Sequence, residues 1–163
     1  MAARVYLETS FISYLTAAPR ESRDPIAAAH QQITIEWWSR RRADFDLVVS
    51  QVVIDELQMG EPTFAKNRLE VVASLPRLRV TDQMIALARD ILAKGFLPQK
   101  AFPDALHIAI ATVHQIEYLL TWNCKHIANV EVLPRIANLF EDIGLILPII
   151  CTPEELLGDS NDN

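Results

Sequence analysis

The stretch Arg4-Val5-Tyr6-Leu7-Glu8-Thr9-Ser10 restricts the fold of this chain more than any other. Residues 5–7 form a short apolar run with a β-branched and an aromatic member, the pattern of a buried strand. Glu8 stands where that strand runs out. Thr9 and Ser10 follow as helix N-cap candidates ahead of Phe11-Ile12-Ser13-Tyr14-Leu15. A strand that ends on a carboxylate, with a helix starting behind it, is where open α/β sheets put their sites.

The rest of the chain repeats the alternation. Further strands are expected at 46–50, 78–80, 118–122 and 146–150, with Pro148 assigning the last to an edge. Helices are expected at 26–42, 51–59, 62–74, 83–94, 103–115 and 133–143. In the first of these Ile26, Ile33, Trp37 and Trp38 make the apolar stripe. Ser50 reads as an N-cap, Gly60 as a stop, and Pro62 as an N1 proline. Strands separated by helices imply right-handed crossovers. The expected fold class is therefore α/β, a three-layer α/β/α Rossmann-like sandwich around a central, mainly parallel sheet of about five strands. Residues 1–152 read as a single domain and 153–163 as an acidic tail that frays.

Composition matters chiefly for what it excludes. The net charge of −6 argues against diffuse, charge-driven binding to nucleic acid, though an acidic pocket can still meet phosphate through a divalent cation. The four glycines are far apart, so GxGxxG, the P-loop and the GxSxG elbow are all out of reach. There is no HExxH. Cys124 and Cys151 make neither a disulfide framework nor a CxxC pair, which fits a reducing compartment. The first residues lack a signal-peptide apolar region. The nearly apolar run 143–151 is interrupted by Gly144 and Pro148 and is too short to span a bilayer. A soluble cytoplasmic protein is the expectation.

Four residues stand at ends where an α/β sheet would gather them: Glu8, Glu56, Asp104 and Asn123. Glu56 flanks the stripe Val53, Ile54, Leu57 on its helix, the position of a ligand or of a solvated border acid. Asp104 lies in a helical first turn, where an acid gains roughly 0.3–1 kcal/mol from the dipole with no function required. His107, one turn on, is either a packing histidine or a partner of the site. Glu8 has the weakest structural explanation, since a carboxylate after a buried strand is costly unless something cationic pairs with it. Mg²⁺ takes oxygen ligands and is the simplest such partner. Asn123 offers a carbonyl oxygen to a metal or its water, or closes a turn at the strand end. Lys125 and His126 meet a phosphate or are simply exposed. Arg40-Arg41-Arg42 complement a helix C-terminus or contact phosphate.

Tyr6-Leu7-Glu8-Thr9-Ser10, Ser50-x5-Glu56-Leu57-x2-Gly60, Pro103-Asp104-Ala105-Leu106-His107-Ile108-Ala109 and Leu119-Leu120-Thr121-Trp122-Asn123 resemble, in order and spacing, the PIN-domain family, and within it the VapC-like toxins of bacterial toxin–antitoxin pairs. The resemblance runs from residue 4 to about 150. It implies metal-dependent endoribonuclease activity, with Glu8, Glu56 and Asp104 as ligands of Mg²⁺ or Mn²⁺. Thr9 and Ser10 would support the site, and Asn123 would stand at its fourth position. It also implies an RNA substrate, a homodimer and an antitoxin protein. Arg20, Arg23, Arg40 and Lys125 are the cations available to RNA. Two positions depart from the pattern: the first acid is usually Asp and here is Glu8, and the fourth is usually Asp and here is Asn123. Three carboxylates instead of four imply weaker binding of a second metal. Two rival readings remain, a PIN-like RNA- or protein-binding module with a degenerate site, and a Rossmann-like interaction domain with incidental acids.

Overall fold

Five short strands carry the architecture: β1 (Arg4–Leu7), β2 (Asp46–Ser50), β3 (Arg77–Leu78), β4 (Tyr118–Leu120) and β5 (Ile149–Cys151). They come from a computed structural model that describes residues 1–18 and 24–159. The strands form one sheet in the order β3-β2-β1-β4-β5, and every pairing is parallel. Between them run α1 (Thr9–Thr16), α2 (Pro25–Arg41), α3 (Gln51–Leu57), α4 (Pro62–Val72), α5 (Asp82–Ala93), α6 (Phe102–Val113) and α7 (Leu133–Glu141). The chain moves outward from β1 to β2 and β3, then returns to β4 on the other side of β1. Right-handed crossovers put α1–α4 on one face and α5–α7 on the other. The packing agrees: α1 lies against α2, α3 and α4, whereas α5 lies against α6. The three-layer sandwich is the one the alternation predicts.

The reversal of direction falls between β1 and β4. Leu7 pairs with Leu120, so the two strands finish level, and the Glu8 N–H donates to the Leu120 carbonyl at 3.1 Å. The crevice outside those two ends is where an open sheet receives ligands. Val5, Tyr6, Leu7, Leu119 and Leu120 are all fully buried beneath it. Residues 105–112 of α6 are buried on every side, the mark of a helix sealed inside a core.

Several boundaries differ from expectation for local reasons. β5 pairs only from Ile149 onward, because Pro148 has no N–H to give the ladder; it does occupy an edge. β3 is Arg77–Leu78 in place of 78–80, and β4 stops at Leu120, two residues early. The buried face of α2 is Ala27, Gln31, Thr34 and Trp37, while Ile26 is 70% exposed. Hydrophobicity misled here because two polar residues satisfy themselves inside. Thr34 Oγ1 donates to the His30 carbonyl at 2.6 Å, and Gln31 Nε2 donates to the Ala17 carbonyl at 2.7 Å.

The segment from Pro153, read from the sequence as a fraying tail, is anchored as far as it is described. Thr152 and Glu155 cap each other: the Thr152 N–H donates to Glu155 Oε1 at 2.9 Å and the Glu155 N–H to Thr152 Oγ1 at 3.3 Å. The Leu156 carbonyl then accepts from Trp37 Nε1 at 3.1 Å and from Arg41 Nη1 at 3.2 Å. Residues 160–163 lie outside the described residues. The arginine cluster has structural employment. Arg40 reaches Glu36 and the Asp159 carbonyl, Arg41 pairs with Asp44, and Arg42 lies over the Trp38 ring.

Candidate active site

Glu8 leaves the end of β1 with extended backbone and caps α1 itself, so Thr9 and Ser10 are helical residues and not the caps expected of them. Its Oε2 accepts from the Ser10 N–H at 2.9 Å, from Thr121 Oγ1 at 2.8 Å, and closely from Ser10 Oγ. The side chain is buried, yet all three donors are neutral. Dipolar partners and the positive end of α1 hold the carboxylate, and no cation touches it among the described residues. Ser10 Oγ also accepts from the Trp122 N–H at 2.9 Å, which ties the start of α1 to the end of β4.

Glu56 is held in another way. Ser50 caps α3 through the Val53 N–H, and Val53, Ile54 and Leu57 turn inward as the stripe predicts. Glu56 is thereby left at the border, its side chain 28% exposed. Its Oε1 accepts from Thr9 Oγ1 at 2.7 Å and from His107 Nε2 at 2.5 Å. The imidazole is fully buried on α6, with Nδ1 2.6 Å from the Tyr6 hydroxyl, which in turn lies 2.7 Å from Ser50 Oγ. A continuous polar chain therefore crosses the core from Ser50 to Thr9. Burial alone would push the His107 pKa down, but the hydrogen bond to Glu56 and the charges of Glu8, Glu56 and Asp104 raise it. Burial likewise works to raise Glu56, and the bond and charge of His107, with Thr9, outweigh it and lower its pKa. Both shifts favour the charged pair. Burial sends the Tyr6 pKa well upward, so that phenol stays neutral.

Asp104 sits in the first turn of α6, as expected, and its Oδ2 meets His126 Nδ1 at 3.0 Å. His126 is half-buried, with Nδ1 engaged by Asp104. Asn123 closes a turn after β4, its Oδ1 accepting from the His126 N–H at 3.0 Å, so the amide sets the loop that brings His126 to Asp104. Lys125 is exposed. Arg20 and Arg23 lie outside the described residues.

These groups meet. Glu8, Thr9, Ser10, Ser13, Tyr14, Glu56, Asp104 and Asn123 line one open pocket of about 470 Å³. All six residues singled out from the sequence are on its wall. Ser13 and Tyr14 were not, although Tyr14 lies one helical turn beyond Ser10 and the spacing would have found it. Thr121 and His126, which hold Glu8 and Asp104, were likewise not assigned those roles. The pocket offers carboxylate, hydroxyl and amide oxygens, the donor chemistry of a hard divalent cation. Among the described residues the hydrogen bonds to each carboxylate fall on a single oxygen: Oε2 of Glu8, Oε1 of Glu56 and Oδ2 of Asp104. Among the described residues, however, no three His, Cys, Asp or Glu side chains already stand close enough to cage an ion. The donor set fits; the side chains would have to draw together. No helix among the described residues is long and apolar enough to cross a membrane.

No family model matches the sequence, and no curated protein matches it. Solved structures do resemble it. A chain of VapBC2 from Rickettsia felis, crystallised bound to a DNA fragment from their promoter, aligns with 91% of this chain and 98% of its own length at 15% identity and a TM-score of 0.53. VapC20 of Mycobacterium tuberculosis, a Sarcin-Ricin loop cleaving toxin, aligns with 75% of this chain and 92% of its own at 16% identity and a TM-score of 0.59. At such identities the likeness is one of fold, and it agrees with the resemblance carried by the sequence blocks. By fold, this chain is an α/β/α sandwich around a five-stranded parallel sheet, like those two chains.

Proposed function

We propose that the protein is a metal-dependent endoribonuclease of PIN type and the toxin component of a toxin–antitoxin pair. The observation that carries this reading is the gathering of Glu8, Glu56, Asp104 and Asn123, with Thr9 and Ser10, around one pocket at the switch point of the sheet. The fold likeness to a chain of VapBC2 and to an RNA-cleaving VapC20 supports it.

Glu8, Glu56 and Asp104 would hold Mg²⁺ or Mn²⁺. When bound, the ion supplies Lewis acidity at a phosphodiester and makes a coordinated water more acidic. The chain's own residues prepare that site. Ser10 and Thr121 fix Glu8, Thr9 and His107 fix Glu56, and His126, positioned by Asn123, fixes Asp104. Carboxylates on a shared wall repel an RNA phosphate, so substrate entry depends on the cation neutralising them. Accessible single-stranded loops suit an open pocket of this kind. An antitoxin protein, a homodimer and a cytoplasmic location belong to the same reading.

The test is cleavage of a labelled unstructured RNA by purified protein with Mn²⁺ or Mg²⁺, beside Asp104→Ala purified identically. Cleavage by the parent that EDTA and the mutation both abolish is the expected result. Cleavage that resists the chelator would sink the metal mechanism. A second reading, a binding module with a degenerate site, draws on the dispersed carboxylates and on an Asn123 oxygen already committed to the turn. It predicts intact RNA with both proteins at high enzyme excess.

A further inference from the structure

Beside the acids, the pocket wall carries one aromatic ring that the nuclease reading does not use. Tyr14 lines the pocket from α1, on the same helical face as Ser10. Two other rings hold it. His30 of α2 and Trp122 of the loop after β4 stack on each other at 4.0 Å and 13°, and both meet Tyr14 edgewise, at 5.6 Å and 80° for His30 and 6.2 Å and 68° for Trp122. Trp122 is pinned by its Nε1–H donating to Thr34 Oγ1 at 2.7 Å, and its own N–H is bound by Ser10. The cluster therefore joins α1, α2 and the loop that carries Asn123. Among the described residues no ring lies parallel to Tyr14, and its hydroxyl has no partner. A core tyrosine would bury both ring and hydroxyl; this one is half-buried and faces the site.

We propose that Tyr14 is a nucleobase platform: it stacks an unpaired base of the RNA strand whose neighbouring phosphate lies at the carboxylates. The inference rests on the nuclease reading and deepens it. A held ring loses little conformational freedom on binding, and stacking accepts any base, since every base has a π-face. The net charge of −6 makes such a contact more valuable, because the overall charge of the chain does not draw the strand in. Arg40, one of the cations counted for RNA, is tied to Glu36 and Asp159. Removing one stacking partner costs on the order of tenfold or more in affinity.

The experiment is fluorescence anisotropy of the full chain with a short labelled single-stranded RNA, Ca²⁺ replacing Mg²⁺, scanning one abasic nucleotide along the strand. For the parent, one abasic position should weaken binding about tenfold or more. In Tyr14→Leu that lesion should cost nothing further, whereas Tyr14→Phe should keep the parent's response. A parent that shows no sensitive position overturns the proposal without any variant. So does a sensitive position whose cost persists undiminished in Tyr14→Leu of native circular dichroism, or in Tyr14→Gln should the leucine variant not fold. A parent that neither binds nor cleaves RNA removes the nuclease reading along with the platform. A parent that cleaves, with Tyr14→Leu behaving identically, removes the platform alone.

Discussion

The two walls of the pocket hold their carboxylates by opposite means. On the wall built from β1 and β4, Glu8 is surrounded by a backbone N–H and two hydroxyls, all neutral. On the wall built from α3 and α6, Glu56 and Asp104 each touch a histidine, His107 and His126. Neutral donors steady a carboxylate but leave its full charge standing; the raised pKa of His107 favours an imidazolium, which offsets much of the charge on Glu56. Glu8 thus has more to gain from a cation than Glu56 does, and Glu56 and Asp104 must each loosen a histidine or share it.

The largest expected effect comes from removing the uncompensated charge. Glu8→Gln should retain the fold, because its amide oxygen can still accept from the Ser10 N–H. Cleavage should fall by on the order of 10²-fold or more, and Mn²⁺ affinity measured by calorimetry should fall with it. Equal Mn²⁺ affinities for Glu8→Gln and the parent would dissolve the contrast between the walls.

Breaking the paired wall should show first in stability. His107→Leu leaves Glu56 without its imidazole and removes one of the Tyr6 hydroxyl's two partners, a loss of about 3 kcal/mol. The effect depends on pH. Glu56 is lowered, so its share is present above the ordinary carboxyl value and is lost as pH falls through its own folded pKa. His107 is raised, so its share is present below the ordinary imidazole value and is lost as pH rises through its folded pKa. In chelated protein the gap in Tm between parent and His107→Leu should therefore be widest between about pH 4.3 and 6.5 and should narrow on either side. A gap independent of pH would mean the pair is not ionic.

The smallest effect sharpens the comparison. Asn123→Asp keeps the oxygen that accepts the His126 N–H, so the turn should survive, and it adds a fourth carboxylate. Mn²⁺ affinity should rise by about tenfold. Unchanged affinity would indicate that residue 123 serves the turn alone.

Much of this was legible along the chain. Short apolar runs alternating with amphipathic helices dictate a parallel sheet; Glu8 at a strand end and Asp104 at a helix start face its ligand-binding edge, and Glu56, near the end of α3, joined them through the family resemblance. The stripe Val53, Ile54, Leu57 set the direction of Glu56 from three residues. Where a local pattern had to compete with burial elsewhere, reading failed. α2 turned Gln31 and Thr34 inward and left Ile26 out. The Thr152-x-x-Glu155 capping pair was a readable signal for an anchored segment, yet its docking on Trp37 and Arg41 depended on a helix more than a hundred residues earlier.

The sequence by itself determined the layers, the parallel pairing and which acids share a pocket, since periodicity and strand ends are local properties of the chain. Tertiary structure alone decided what each acid touches. Glu56 meets His107 across 51 residues and Glu8 meets Thr121 across 113, contacts in which distance along the chain carries no information about distance in space. The charge left on each carboxylate, and hence its readiness for a cation, follows from those contacts and from burial, neither of which is written at any single position.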